Sequence, residues 1–584
     1  MAHMAKLEKI EEIRHSLAHL LAAAVLKKFP KAKLGIGPVI ENGFYYDFKL
    51  PRPLTQDDLK ELEHTMRALV MQKLPFSGKK ITPAAAKKLF KDQPFKLDLI
   101  KEFGKEKKPL TIYKTGGVFL DLCRGGHVKN TSEINTDSFK LTSIAGAYWR
   151  GDEKKPQLQR IYGAAFSTKR ELDEYFTMLE EAKRRDHKKL GIELDLFTFS
   201  DLVGAGLPLW TPKGTVLRNI LDNFVWELRR KYEYQKVEIP HITKKELYEI
   251  SGHWEKFQDD LFKVVTREGH LFAMKPMNCP HHTQIYARKL WSYRDLPQRY
   301  ANTTMCYRDE QTGELSGLSR VRSFTQDDAH VFCRLSQTKE EFLKIWDIVH
   351  EFYGRFGFNL RIRISTHDPK HPEKYLGDKK KWKFAEDMLR EIAKEKKADT
   401  FEGVGEAAFY GPKLDFMAKD SLGREWQVAT IQLDVNMPER FNLTCINEEG
   451  KPERIVMIHA AIMGSIERFL SIIIEHFAGD FPVWLSPIQA RVIPIADRHR
   501  EYAEKILNML KENNVRADMA SSGETLGKNI REGELEKIPY LLIVGDREIE
   551  TKSVNVRERH KKETSTVSVE KFIERIKKED KEKR

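Results

Sequence analysis

Residues Asn302–Phe332 read NTTMCYRDEQTGELSGLSRVRSFTQDDAHVF and indicate the architecture of the central part of the chain. The composition at the two ends of this stretch predicts strands at Thr303–Tyr307 and Val321–Thr325. The loop between them contains glycines, arginines and glutamates. Arginines beside such a loop suit a triphosphate, because guanidinium groups pair with phosphate oxygens. The alternative is a salt-bridged hairpin on the surface, which is the commoner arrangement of such charges.

Further strand-like runs follow this stretch with few helices between them, at Arg361–Ser365, Lys413–Met417 and Trp426–Ile431. This order favours an antiparallel sheet over a doubly wound parallel one. Ahead of the stretch, Val216–Tyr232 has a wide apolar helical face, and a short strand, Val237–Ile239, is predicted to end at Pro240.

The two ends of the chain predict different folds. Lys6–Phe29 has apolar residues at helical spacing and predicts an amphipathic helix, which a strand-rich α+β region follows. Lys169–Lys189 is highly charged and predicts a solvated connecting helix. From Pro487 strands and helices alternate as βαβαβ, and the mixed-charge tail Lys577–Arg584 is expected to fray. The predicted fold is therefore α+β multidomain, with domain limits at 5–168, 169–190, 191–486 and 487–584.

Composition limits the classes of function. A chain of 584 residues exceeds what one hydrophobic core supports. Lys and Arg number 101 against 87 Asp and Glu, and this net charge of +14 favours a polyanionic partner such as nucleic acid. A membrane partner is not expected, because His459, Glu467 and Arg468 interrupt the longest apolar run. Five scattered cysteines and no secretory signal at Met1–Met4 indicate a reducing cytoplasm.

Cys279, His330 and His459 are candidate metal ligands, although they lie far apart in the sequence. Two histidines and one cysteine leave one position open in a tetrahedral zinc site. A lone cysteine or histidine in an apolar run is more often a packing residue, so these three residues need a further link.

That link is a resemblance to class II aminoacyl-tRNA synthetases. Arg308 with Glu310 resembles motif 2, Thr215–Pro240 resembles motif 1, and HAAIMGSIERFL with Arg468 resembles motif 3. Within that class, the chain is similar to threonyl-tRNA synthetases in four segments: MNCP, RSFTQDDAH, FYGPKLDF and the His459 segment. The match extends from about Ile13 to the C-terminus. Nothing in the sequence corresponds to the further small N-terminal domain that many members carry.

The resemblance implies ATP-dependent activation of L-threonine with Mg²⁺, transfer to tRNA(Thr), a cytoplasmic homodimer built on motif 1, and one Zn²⁺ per subunit held by Cys279, His330 and His459. A metal suits this substrate, since threonine and valine have nearly the same shape and an apolar pocket separates them poorly. Threonine can chelate through its amino and hydroxyl groups, whereas valine has no hydroxyl.

The resemblance also assigns roles to individual residues. Contacts to ATP are implied for Arg308, Glu310, Arg320, Phe324, Gln427, Thr430, Ser465 and Arg468. Asp328 would receive the amino group of threonine, in a pocket that Met277, Gln326, Tyr410, Lys413 and Gln432 line. His253 would lie near the terminal ribose of the tRNA. The catalytic set is Arg308, Arg468, Lys413 and His253.

A second candidate site lies in the N-terminal region. His15 and His19 share a helix face, and Cys123 and His127 flank Arg124-Gly125-Gly126. From the residues alone, a zinc site and a pair of surface histidines are both possible. HSLAHLL with LCRGGH resembles the editing site of threonyl-tRNA synthetases, which implies that these four residues and Asp121 direct hydrolysis of seryl-tRNA without a metal. The family usually has proline where Gly126 stands.

The C-terminal region resembles the anticodon-binding domain of this subgroup, with Glu548 and Arg557 as base-reading residues. Three alternatives differ in what they require. A class II synthetase of other specificity would not need the Cys279, His330 and His459 set. A non-catalytic RNA-binding paralogue would be expected to lose Arg308, Arg468 or a zinc ligand, and a standalone hydrolase would need only the N-terminal region.

Overall fold

The structure is a computed structural model that describes residues 2–105, 109–377, 379–521 and 523–584, with side chains from Glu8 onward. The chain divides into two compact units, one ending at Glu180 and the other beginning at Glu181. Each unit has its own hydrophobic core. Within the described ranges, no helix combines the length and the apolar character that a bilayer crossing requires.

The first unit packs helices against two antiparallel sheets. Its helices are α1 (Ala2–Lys28), α2 (Gln56–Met71), α3 (Pro83–Leu89), α4 (Pro94–Lys105) and the start of α5 (Lys169–Arg185). Its strands are β1 (Lys33–Leu34), β2 (Val39–Ile40), β3 (Gly43–Lys49), β4 (Phe76–Ile81), β5 (Leu110–Thr115), β6 (Phe119–Leu122), β7 (Phe139–Tyr148) and β8 (Gln157–Ala165). One sheet has the order β1-β3-β8-β7 with β2 on β3, and the other has the order β4-β5-β6.

Helix α1 is not amphipathic in its middle, so that prediction is wrong. All residues from Ser16 to Val25 are buried. The reason is that α1 lies between α2, strand β3 of one sheet and strand β6 of the other, which leaves no solvent face there. His19 is therefore carried into the interior of the unit.

The predicted connecting helix is two helices. Helix α5 ends at Arg185, and α6 (His187–Glu193) begins after Asp186. The Asp186 carboxylate accepts a hydrogen bond from the Lys188 amide at 2.8 Å, as an N-cap does, and its backbone leaves the helical region with φ −50° and ψ 119°.

The second unit is built around a large sheet with helices packed against it. Its helices up to the C-terminal part are α6, α7 (Pro212–Arg230), α8 (Lys245–Ser251), α9 (His253–Lys256), α10 (Cys279–Ala287), α11 (Thr338–Gly354), α12 (Lys379–Glu395), α13 (Met437–Arg440) and α14 (Ile466–His476). Small strands flank the large sheet: β9 (Phe197–Thr198) pairs with β10 (Leu209–Trp210), β12 (Ile242–Lys244) and β13 (Lys263–Val265) flank β14 (Leu271–Met274), and β21 (Thr444–Ile446) pairs with β22 (Pro452–Arg454).

The large sheet confirms the antiparallel prediction. Among the described residues its order is β11-β15-β16-β23-β20-β19-β17-β18, and only the two outermost pairings are parallel. Its strands are β11 (Gln235–Lys236), β15 (Gln298–Tyr307), β16 (Ser323–Cys333), β17 (Leu360–Thr366), β18 (Thr400–Val404), β19 (Lys413–Lys419), β20 (Glu425–Asp434) and β23 (Val456–Ser465).

The strand predicted at Val237–Ile239 is wrong, because the strand is β11, two residues earlier. After Lys236 the ladder stops. The amide of Val237 still donates to Ala301 O at 3.0 Å, but its carbonyl accepts from the Asn302 side chain. A side chain thus replaces the next backbone partner.

The C-terminal part confirms the βαβαβ prediction, with β25 (Ala517–Met519), β24 (Ala490–Pro494) and β26 (Tyr540–Val544) parallel. Its helices are α15 (Arg500–Glu512), α16 (Leu526–Leu535), α17 (Asp546–Thr551) and α18 (Val569–Lys581). Two strands that the sequence did not predict, β27 (Ser553–Glu558) and β28 (Thr564–Ser568), extend the sheet in antiparallel fashion. The predicted fraying of Lys577–Arg584 is wrong, because α18 continues to Lys581 and Arg584 O accepts from Trp484 N at 3.3 Å.

Candidate active site

A cavity of about 450 Å³ opens on the large sheet and brings together residues that are distant in the sequence. The side chains come from β16, β19, β20, β23, α9, α14, the start of α10 and nearby loop residues, among them Arg308 directly after β15. The predicted site residues that line it, besides the candidate metal ligands, are His253, Met277, Arg308, Phe324, Gln326, Asp328, Tyr410, Lys413, Gln427, Thr430, Gln432, Ser465 and Arg468.

The three candidate metal ligands also line this cavity. His330 on β16 lies directly opposite His459 on β23, and Cys279 is the first residue of α10. Their candidate ligand atoms all lie within 4.8 Å of one another, and His330 Nε2 is 3.1 Å from His459 Nδ1. All three side chains are buried. Burial also lowers the pKa of His330 well below its usual value, so its imidazole is neutral, as a metal ligand must be.

Two residues that sequence reasoning missed orient these histidines. Asp434 Oδ2 lies 3.0 Å from His459 Nε2, and His282 Nδ1 lies 2.8 Å from His330 Nδ1. Each contact occupies one nitrogen of the histidine ring, and the other ring nitrogen faces the group of candidate metal ligands. A cysteine and two histidines with such outer partners form a donor set that fits zinc. His282 lies one helical turn after Cys279, which was an available signal, whereas nothing in the sequence pattern marks Asp434.

Asp328 lies beside the metal-ligand group with its carboxylate held in place. Asn278 Nδ2 donates to Asp328 Oδ2 at 3.2 Å. The buried Lys275 donates from Nζ to Asn278 Oδ1 at 3.1 Å and to Thr304 Oγ1 at 3.0 Å, which fixes the direction of the amide. Burial raises the pKa of Asp328 to about 6, so a cation beside this carboxylate would be stabilising.

Among the residues predicted to contact ATP, several are held in place by one buried carboxylate that the sequence reasoning missed. Asp415 is fully buried. Its Oδ1 accepts from Thr430 Oγ1 and from Gln427 Nε2, both at 2.8 Å, and its Oδ2 lies 3.0 Å from Lys413 Nζ. Arg308 lies over the Phe324 ring, 5.2 Å from its centre. The cavity therefore has a cationic and aromatic side next to the metal-ligand group.

Glu310 and Arg320 lie outside the lining of the cavity. Arg320 Nη2 is 2.6 Å from Glu310 Oε2 and 3.1 Å from Glu314 Oε2, in the loop between β15 and β16. These two residues thus form the salt-bridged hairpin that the sequence offered as the alternative to a triphosphate site. Arg308, at the start of the same loop, instead points into the cavity.

His253 lies at the other edge of the cavity. Its Nδ1 is 2.9 Å from Ser251 Oγ, and burial lowers its pKa to about 3. The ring is therefore neutral at physiological pH and is available as a hydrogen-bonding group.

The first unit has a cavity of about 440 Å³ lined by His15, His19, Asp121 and Cys123. His127 stacks on His15 with ring centres 4.1 Å apart. His19 is buried and the other two histidines are partly buried, so the alternative of a surface pair is wrong. Ligand atoms of His15, His19, Cys123 and His127 lie within 4.8 Å of one another, a spacing that would also allow a metal ion.

The protonation states in this cavity follow from burial. Cys123 Sγ lies 3.3 Å from His15 Nε2 and 3.2 Å from His127 Nε2. Burial raises the pKa of the thiol to about 11 and lowers the pKa of His15, His19 and His127. At neutral pH the thiol is therefore protonated and the imidazoles are uncharged.

Asp121 belongs to a buried trio that the sequence did not reveal. Lys96 Nζ lies 2.6 Å from Asp121 Oδ1, and Tyr46 OH donates to Asp121 Oδ2 at 2.5 Å. Lys96 is on an ordinary helix, α4, where a lysine normally faces solvent. No spacing in the sequence distinguishes it from such a lysine.

The loop between Cys123 and His127 has a backbone that only glycine adopts easily. Gly125 has φ +100° and Gly126 has φ +82°. Proline, which the family usually has at the second position, is restricted to φ near −65°. The loop of this chain therefore differs in path from one that contains proline at this position.

In the C-terminal part, both predicted base-reading residues already have partners. Glu548 is buried and accepts from the Gly545 amide at 2.9 Å, which caps α17. Arg557 on β27 pairs with Glu534 of α16.

Comparison with known proteins adds three family matches. Residues 262–477 match the tRNA synthetase class II core domain (G, H, P, S and T). Residues 489–579 match the anticodon binding domain, and residues 110–162 match the threonyl and alanyl tRNA synthetase second additional domain. The fold assigned above, with a class II core, an anticodon-binding domain and an editing domain, agrees with these matches.

Whole-chain relatives give the same result. Threonine–tRNA ligase of Gloeobacter violaceus is 48% identical over 97% of this chain and 92% of that protein. Its counterpart in Dehalococcoides mccartyi strain BAV1 is 48% identical over 94% of this chain and 93% of that protein. A crystal structure described as the RNA binding domain of threonyl-tRNA synthetase from Cryptosporidium parvum Iowa II covers 68% of this chain and 98% of its own, with 37% identity and a TM-score of 0.65. The chain therefore belongs to the threonyl-tRNA synthetase family of class II aminoacyl-tRNA synthetases.

Proposed function

We propose that this protein activates L-threonine with ATP and Mg²⁺ and transfers the threonyl group to tRNA(Thr). One observation carries the proposal: the Cys279, His330 and His459 group lies in the same cavity as Arg308 and Arg468. The metal-ligand residues would select the amino acid, and the two arginines would bind the phosphates of the ATP that activates it. Both steps require these residues to lie in one cavity. A class II synthetase of other specificity is less consistent with the metal-ligand set.

Cys279, His330 and His459 would hold one Zn²⁺ per subunit. When bound, zinc would supply coordination positions for the amino and hydroxyl groups of threonine, which valine cannot fill because it has no hydroxyl. Asp328, whose environment favours a neighbouring cation, would receive the amino group. The remainder of the threonine pocket would be formed by Met277, Gln326, Tyr410, Lys413 and Gln432.

The chemistry of activation would rely on positioning and charge stabilisation. The threonine carboxylate attacks the α-phosphorus of ATP in line, and pyrophosphate leaves. Arg308 and Arg468 would bear the charge that develops on the phosphates. The adenine side would contact Phe324, Gln427, Thr430 and Ser465, with Glu310 and Arg320 leaving their mutual ion pair for the nucleotide. In the second step the ribose hydroxyl of the tRNA, near His253, takes the threonyl group and releases AMP.

Serine requires a separate correction step. It offers the same amino and hydroxyl groups, and the loss of one methyl changes binding by only about 1 kcal/mol. Hydrolysis of seryl-tRNA(Thr) would be directed by five residues of the first unit: His15, His19, Asp121, Cys123 and His127. Because the Cys123 thiol holds its proton at neutral pH, a water molecule is a better candidate nucleophile than this sulfur.

The remaining proposals concern organisation. We place the editing domain at 5–168, the connecting segment at 169–190, the catalytic domain at 191–486 and the anticodon-binding domain at 487–584. The motif 1 resemblance of α7 and β11 supports a homodimer, and the five free cysteines support the cytoplasm. Glu548 and Arg557 would contact anticodon bases after giving up their present partners.

Amino-acid-dependent ATP–pyrophosphate exchange tests the proposed function. Threonine should stimulate exchange strongly, serine weakly and valine hardly at all. Cys279→Ala should abolish exchange, whereas Cys445→Ala, at another buried cysteine outside the cavity, should not. Equal stimulation by valine and threonine would rule out the proposed specificity.

A further inference from the structure

A buried histidine outside the cavity touches the loop that connects β15 and β16. We propose that His187 is a positioning residue for ATP binding, because its imidazole holds this loop, 308–322, in the shape that the nucleotide requires. The inference rests on the proposed function, since the loop carries Arg308, Glu310 and Arg320. His187 itself is the first residue of α6 and is 3% exposed.

Both nitrogens of the His187 ring have assigned partners. Nδ1 lies 2.6 Å from Glu475 Oε1, which also accepts from the His187 amide at 3.1 Å. A carboxylate oxygen only accepts, so Nδ1 carries the proton and Nε2 is left as an acceptor. The Leu318 amide fills that role and donates to Nε2 at 3.1 Å. The imidazole therefore bridges a helix carboxylate and a loop amide.

The loop is folded tightly where it meets the ring. Gly317 has φ +52°, and a Cβ at this position would overlap the His187 ring. Leu318 is fully buried in the core, and the Ser316 amide donates to Arg320 O at 3.1 Å, which closes a turn. Arg320 leaves this turn directly. The backbone that carries the Arg320 side chain is thus two residues from the contact between Leu318 and His187.

The other end of the bridge is on the helix that carries Arg468. Glu475 is in the last turn of α14, which begins at Ile466. Arg424 also pairs with Glu475, and Ser319 Oγ donates to Ser471 Oγ on the same helix at 3.1 Å. The loop with Arg308 and Arg320 is therefore tied to the helix with Arg468. These are the two elements that the proposed function assigns to the phosphates.

A metal role does not explain His187. Asp186, His187 and Glu475 offer ligand atoms within 4.8 Å of one another. However, both ring nitrogens are engaged within the protein, and the Asp186 carboxylate caps α6 through the Lys188 amide. A packing role alone would predict lower stability with no preference for one substrate. The positioning role predicts a defect that is specific to ATP.

Two substitutions separate the two hydrogen bonds of the ring. The amide of His187→Asn occupies the place of Nδ1 and can still donate to Glu475, but it leaves the Leu318 amide without an acceptor. The longer side chain of His187→Gln reaches the place of Nε2, where its carbonyl oxygen can accept from Leu318. We expect Asn to weaken ATP binding about 5- to 10-fold, and Gln to restore most of it.

The experiment measures the Kd for ATP with Mg²⁺ by calorimetry on the full chain, with thermal unfolding and the KM for threonine as further readouts. His350→Asn is the matched control, because this histidine is on α11 and its Nδ1 contacts Trp346 O within its own helix. The threonine KM should stay within about twofold, since the lost hydrogen bond is not in the threonine pocket. If His187→Asn does not fold, Gly317→Ala, which pushes the loop off the ring, should weaken ATP binding in the same way.

An unchanged Kd for ATP in His187→Asn, or equal losses for ATP and threonine, would overturn the inference. So would a glutamine variant that binds ATP no better than the asparagine variant. These results are distinct from failure of the proposed function, which would appear as wild-type protein that binds ATP but shows no threonine-dependent exchange.

Discussion

His330 and His459 meet because two antiparallel strands place them directly opposite each other. In such a pair, side chains on the same face lie close enough to share an ion. The register of β16 and β23 also pairs Ala329 with Ala460, whose side chains point to the opposite face of the sheet and belong to the hydrophobic core. Cys279 arrives from a different element, as the first residue of α10. Three unrelated sequence positions thus form one group.

At the residue scale, the sequence allowed prediction of side chains that would touch the reactants, but it did not reveal the side chains that hold them. Cys279, Arg308 and Arg468 were found through motifs. Asp415 and Lys96 were not, because each is an ordinary residue of its element and acts only through partners that are distant in sequence. Their roles depend on a buried position that no local pattern encodes.

The Cys123 thiol offers a test at this scale. Burial raises its pKa to about 11, and the folded state therefore holds the proton more tightly than the unfolded chain. The free energy of unfolding should accordingly fall as pH rises from 9 towards 11. Alkylation by iodoacetamide requires the thiolate, so Cys123 should react slowly at pH 7.5 and about tenfold faster per pH unit up to roughly pH 10.

Site-resolved mass spectrometry of the native protein measures this rate. An unstructured cysteine peptide in the same tube is the control, and it should level off about two pH units earlier than Cys123. Fast alkylation of Cys123 at pH 7.5, with a plateau near pH 8, would contradict the protonated thiol.

At the scale of elements, the sequence predicted most helices and strands but not their surroundings. Helix α1 has apolar residues at helical spacing, yet it is covered by α2 and by strands of two sheets. The strand expected at Val237–Ile239 moved because a side chain, Asn302, satisfied the backbone instead. In both cases residues that are distant in sequence determined the burial or the position of the element, and local propensity cannot predict such contacts.

The loop around Gly126 gives a prediction at the element scale. Gly126→Pro restores the residue that the family usually has, but proline cannot adopt the observed φ of +82°. The loop must take another path, which should displace Cys123 and His127 from each other and reduce hydrolysis of seryl-tRNA(Thr) about tenfold or more. Threonine activation should not change, because the activating cavity lies in the other unit.

Gly117→Ala, in the turn between β5 and β6, is the matched control. A Cβ added at Gly117 would meet no atom within 4 Å, and the backbone there is not in the left-handed region. The deacylation rate of this variant should equal that of the wild type. Unchanged deacylation by Gly126→Pro would show that the observed backbone path is not needed for editing.

At the scale of the whole molecule, the division into several domains could be predicted from the chain length and from the regular alternation of strands and helices that begins near Pro487. The net charge of +14 agrees with a tRNA partner. Neither charge nor length specifies threonine. The specificity that we propose rests on the family motifs and on the geometry of one cavity, where the metal-ligand group and the cationic side lie together.

The central claim is that zinc held by Cys279, His330 and His459 binds threonine directly. Zinc K-edge X-ray absorption of the purified full chain tests it. The account predicts one zinc per chain with one sulfur and two imidazole nitrogen ligands, and a gain of nitrogen or oxygen ligands on addition of threonine but not of valine. A protein that lacks zinc but shows full threonine activation, or a zinc spectrum that threonine does not alter, would contradict it.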